Sequence, residues 1–121
     1  TENNCKYEVR TTKYLTINNL IYFAITIMQD LKTRTFNYAL VNAKLVKDIP
    51  YDAVNREYIS QLVRSTASVG ANYRAAKRGK SDADFLNKLK IVEEECDESI
   101  YFLELLKALN PSFEQRINEL I

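Results

Sequence analysis

Apolar residues return at helical spacing along most of the 121-residue chain. From Thr16 to Lys32, Ile17, Leu20, Ile21, Ala24, Ile27, Met28 and Leu31 follow steps of three and four, which predicts a helix with Thr16 as its N-cap. Tyr22, Phe23 and Ile25 lie off that stripe, so this segment carries apolar surface on more than one side. Phe36, Ala39, Leu40, Ala43, Val46 and Ile49 predict a second helix. It ends before Pro50, whose ring disfavours helical geometry at the preceding residue. After the linker PYDAVN, where Asp52 or Asn55 can cap, Ile59, Leu62, Val63, Val69 and Tyr73 predict a third helix from Arg56 to about Arg78. Gly70 in its interior costs roughly 1 kcal/mol relative to Ala, so close packing against a neighbour is its expected reason. Ala67, Ala71, Ala75 and Gly79 recur every four positions and give that helix a small-residue face.

The segment GKSD reads as a turn in which Gly79 takes a left-handed helix cap and Ser81 caps a helix opening with Asp82 and Asp84. Phe85, Leu89, Val92, Cys96, Ser99, Leu103 and Leu106 then alternate steps of four and three, a heptad seam suited to nearly antiparallel packing. Phe102, Leu105 and Leu109 form a second strip, wider than one partner helix needs and hence a candidate oligomer interface. Asn110 and Pro111 stop this helix, and Ser112 is placed to cap a short amphipathic segment, FEQRINELI. The expected architecture is all-α: an up-and-down antiparallel four-helix bundle with room for an extra N-terminal helix. Residues 1–15 read as a loosely held tail and 16–121 as one domain.

Composition agrees with helices, since two Gly and two Pro are too few for a turn-rich sheet protein. Cys5 and Cys96 do not make a disulfide framework and read as reduced, structural thiols of a cytoplasmic protein. The longest apolar run is about half of a membrane span, so no membrane partner is expected. The chain opens on Thr1 rather than Met, which implies a processed or trimmed sequence.

The net charge is only +1, but charge is segregated along the chain. Between Arg74 and Lys90, Arg74, Lys77, Arg78, Lys80, Lys88 and Lys90 outweigh Asp82 and Asp84, and an acidic run from Glu93 to Glu98 follows. The absence of histidine removes the commonest general base and metal ligand, so the chain reads as no enzyme. The carboxylates of Glu93, Glu94, Glu95, Asp97 and Glu98 lack the Glu-x-x-His pairing of helical di-metal sites and read as a solvated face or as partners in interhelix salt bridges. No phosphate-binding glycine loop is present, so no cofactor is implied. Arg64, Arg74, Lys77, Arg78 and Lys80, with Tyr73 among them as a stacking ring, could instead bind backbone phosphates of RNA or DNA with little sequence preference. The competing reading is that these cations cap a helix C-terminus and pair with acids.

The run QLVRSTASVGANYRAAKRGKSDADFLNKLKIVEEECDESIYFLELL, Gln61 to Leu106, resembles the bacterial 23S rRNA intervening-sequence proteins, as does TFNYALVNAKLVKDIP, Thr35 to Pro50. The chain is also similar to accessory proteins of diversity-generating retroelements, pentameric four-helix bundles that bind nucleic acid through basic surfaces. The resemblance implies a non-enzymatic homo-oligomer, with a pentamer as its form, and strengthens the nucleic-acid reading of Arg64, Arg74, Lys77, Arg78 and Lys80. A protein-interaction scaffold is the alternative. The segment before Thr35 is longer, and that after Pro111 shorter, than the family pattern.

Overall fold

The computed structural model describes residues 17–121, so the tail 1–15 and the Thr16 cap lie outside the described residues. Among these residues are four α-helices and no strand, in agreement with the all-α bundle expected. They are α1 (Ile17–Asp48), α2 (Ala53–Lys77), α3 (Asp82–Leu109) and a five-residue α4 (Glu114–Asn118), which a 3-10 turn at Pro111–Phe113 introduces.

The first two expected helices are one. The break anticipated around residues 33–35 does not occur, because no Gly or Pro stands there to interrupt the hydrogen-bond ladder. The Thr35 hydroxyl donates back to the Leu31 carbonyl (2.7 Å) rather than capping a new helix, and Arg34 pairs with Asp30 one turn earlier (3.3 Å). Asp52 caps α2 by accepting from the amides of Val54 (3.0 Å) and Asn55 (2.8 Å). Ser81 caps α3 through the Asp84 amide (3.1 Å).

Two other local expectations are corrected. Gly79 does not take the left-handed cap, for no described glycine has a positive φ. Space explains it instead: a Cβ there would lie 3.0 Å from the Ala76 carbonyl oxygen. Ser112 makes no cap hydrogen bond, because it lies inside the 3-10 turn, where Pro111 occupies the first position and needs no N–H partner.

The middle helix is α2, with α3 along one flank and α1 along the other. The four-residue connections fold each pair into an antiparallel hairpin. In α2 and α3, Asn55 meets Asn110 near one end and Ser65 meets Ser99 nearer the middle. Asn55 and Asn110 exchange amide hydrogen bonds of 2.8 and 2.9 Å, while Asn55 also donates to the Pro50 carbonyl (2.9 Å). This clamp ties the α1–α2 turn to the end of α3. Beside it sits the main apolar cluster: Leu45, Val46 and Ile49 of α1, Ile59 and Leu62 of α2, Leu103 and Leu106 of α3, and Ile117 of α4. The heptad seam of α3 holds, with Cys96, Ser99, Leu103 and Leu106 buried. Cys96 is disulfide-bonded, which corrects the expectation that it is a reduced thiol.

Candidate nucleic-acid interface

The last turn of α2 carries Arg74 and Lys77, Arg78 is its C-cap, and the following turn carries Lys80; all four side chains are exposed. Their position follows from the helical period. Val69, Tyr73 and Ala76 turn inward, which leaves the intervening cations on the other face. Arg74 and Lys77 sit where the carbonyl end of the helix dipole favours positive charge. Among the described residues, ion pairs engage Arg34, Arg56, Arg64 and Arg116, but none engages Arg74, Lys77, Arg78 or Lys80. Lys90 is also exposed and Lys88 half-buried in the opening turns of α3. With Thr35 lying against Gly70, the antiparallel register brings the exposed Lys32 of α1 to the same end of the molecule. Sequence reading missed Lys32 because it placed a helix boundary there.

Two members of the sequence-derived cluster stand apart. Arg64 is about 15 Å up the helix from Arg74, ten residues at the α-helical rise. Its guanidinium is held by Glu98 and, at 3.5 Å, by Glu95 of α3. The hydrogen bond to Glu98 raises its pKa further, so it is a fixed cation tying α2 to α3. Burial pushes the Glu95 carboxyl above the usual range, against the opposing pull of Arg64. Tyr73, which sequence reading offered as a stacking ring, is only 2% exposed and belongs to the interior. Burial pushes its hydroxyl up to about 12, and no base can reach its ring face without opening the bundle.

The strip Phe102, Leu105 and Leu109 is divided by the fold. Phe102 packs against the main core, with the Tyr58 ring 6.2 Å and the Tyr101 ring 5.4 Å away; Leu105 is half-buried and Leu109 is exposed. The larger exposed apolar surface is on α1, at Ile21, Tyr22, Ile25, Phe36, Leu40 and Val41. No described helix is long and apolar enough to cross a membrane, and no described group of three His, Cys, Asp or Glu side chains could hold a metal ion. The arrangement suits a ligand with repeated negative charge, because the cations are exposed and gathered at one end.

The sequence model of the 23S rRNA-intervening sequence protein family matches residues 29–121. Among solved structures, a protein of unknown function from the S23 ribosomal protein family of Bacteroides thetaiotaomicron is similar, with a TM-score of 0.68 and 31% identity over 74% of this chain and 83% of that one. No curated protein matches the chain.

Proposed function

Because the chain belongs to the 23S rRNA-intervening sequence protein family, we propose that it is a non-enzymatic, homo-oligomeric RNA-binding bundle that holds structured RNA by its phosphates. Arg74, Lys77, Arg78 and Lys80 make the contacts. The supporting observation is that these four exposed cations engage no carboxylate among the described residues, whereas Arg64 is committed to Glu95 and Glu98. Structured DNA would be held by the same phosphate contacts. A cytoplasmic location belongs to this reading, as does the five-copy assembly implied by the resemblance to retroelement accessory proteins. A protein-docking scaffold is the second reading, favoured by the exposed apolar residues of α1.

The test is fluorescence anisotropy of a labelled RNA hairpin between 50 and 200 mM salt. Affinity is expected to fall steeply with salt, and Arg74→Gln/Lys77→Gln/Arg78→Gln is expected to weaken it at least tenfold and to flatten the log–log salt slope by about 2. Arg64→Gln is expected to bind within about twofold of the parent, because its charge is already neutralised by α3. Absence of binding at 50 mM salt, or a triple variant that binds like the parent, would refute the proposal.

A further inference from the structure

The opening part of α1 runs on past the end of α2. Thr35 lies against Gly70, and α2 ends at Lys77. In an antiparallel pair, α1 therefore outruns α2 by roughly eleven residues, about 16 Å at the helical rise. This overhang also precedes the family-matched residues 29–121, so it is a feature of this chain added to the common bundle. A helix so placed would ordinarily be polar. Instead, Ile17 to Gln29 contains no charged residue, while Ile21 is 58%, Tyr22 80% and Ile25 52% exposed. The same face continues into the matched part through Phe36 (55%) and Leu40 (41%). At 100° per residue these five side chains fall within an arc of about 100°, beside the face that meets α2.

We infer that this stripe pairs, antiparallel and about a two-fold axis, with the same stripe of a second copy. Register and charge select that occupant. Setting Ile25 opposite Phe36 of the second copy also sets Ile21 opposite Leu40, and offsets Lys32, the one cation on the stripe, from Lys32 of the second copy. A parallel pair would oppose Lys32 to Lys32 in an otherwise apolar seam. Asp30 and Arg34 satisfy each other through an i,i+4 ion pair, away from the seam. Size agrees as well. At the stated exposures the five side chains present roughly 600 Å² of apolar surface, aromatic rings supplying about half. With flanking polar atoms the contact reaches the class of about 800 Å² per partner typical of specific interfaces. Each overhang thereby covers the middle of its neighbour's α1, which turns the uncharged extension into a mutual clasp.

This two-fold face is additional to the contacts that close the five-copy assembly proposed above, joining such assemblies in pairs, and it is independent of RNA binding, which uses the other cations at the end of α2. The test is sedimentation velocity of the full chain across concentration, with circular dichroism as the check on folding. The parent is expected to show a concentration-dependent doubling of assembly mass. Ile25→Glu and Phe36→Lys, both at exposed positions, are each expected to weaken that step at least tenfold. The double variant Ile25→Glu/Phe36→Lys is expected to restore it, because residue 25 of one copy then faces residue 36 of the other with opposite charge. A doubling step insensitive to either substitution, no doubling at all, or a double variant as weak as the singles would overturn the inference. An insensitive doubling step would place the contact between copies on another face of the molecule. Anisotropy with the RNA hairpin on the same variants separates the two proposals: unaltered RNA affinity beside lost pairing supports this one alone.

Discussion

Tyr73 and Arg64 show how burial and pairing reassign residues that look functional by composition. Tyr73 lies among cations in sequence, yet its ring fills the interface between helices and its hydroxyl is pushed up to about 12 by burial. In the unfolded chain a tyrosine loses its proton near pH 10, before the folded protein does. The unfolded state therefore binds fewer protons between pH 10 and 12, and stability falls as pH rises through that window. Thermal melts of the parent are expected to shift downward from pH 10 to 12 by more than those of Tyr73→Phe, whose ring cannot ionise. Equal alkaline shifts in the two proteins would contradict this account. Asn42 offers a second residue-scale case. It is fully buried, its amide donates to the Tyr38 carbonyl (2.8 Å), and its Oδ1 meets no donor among the described residues. Asn42→Leu, of similar volume, removes that buried acceptor and is expected to raise the urea midpoint, a gain of about 1 kcal/mol.

At the scale of elements, Gly70 governs how close α1 and α2 come. A Cβ at this position would stand 3.3 Å from Thr35 Oγ1 and 3.6 Å from the Thr35 carbonyl carbon. Gly70→Ala gains roughly 1 kcal/mol of helix propensity but crowds a hydroxyl already bonded to Leu31, so little net change is expected. Gly70→Leu has no space and must push the helices apart, with an expected loss of about 1–3 kcal/mol in chemical denaturation. The packing role of Gly70 was thus legible in the sequence, because a mid-helix glycine is costly without a packing reason, but the expected small-residue face is not the packed one, since Ala67, Ala71 and Gly79 are exposed. The continuity of α1 was not. Two amphipathic stretches separated by Lys32–Thr35 look the same whether the backbone bends or runs on; the choice depends on whether Thr35 caps or bonds backward.

For the whole molecule, the main apolar cluster lies at the Pro50 end and the exposed cations at the other, with α2 spanning both. Ile117 joins that cluster from a helix of five residues, fully buried against α1 and α3 side chains. Its helix is too short to be stable alone. Ile117→Ala is therefore expected to cost about 2–5 kcal/mol by leaving a cavity, measured as a lower urea midpoint with an unchanged slope. A loss below about 1 kcal/mol would mean that α4 is a loose appendage.

The local pattern of residues determined the helical class, the seam of α3, the Ser81 cap and the segregation of charge, because these depend on neighbours a few residues apart, whereas it left the cap of α2 open between Asp52 and Asn55. Tertiary structure decided which members of those patterns were available. It withdrew Tyr73 into the core, committed Arg64 to Glu95 and Glu98, drew Phe102 against the apolar cluster and brought Lys32 beside the end of α2. Each of those outcomes depends on contacts between residues far apart in the chain. Helical period gives the face on which a side chain stands, but only the antiparallel register determines what that face meets.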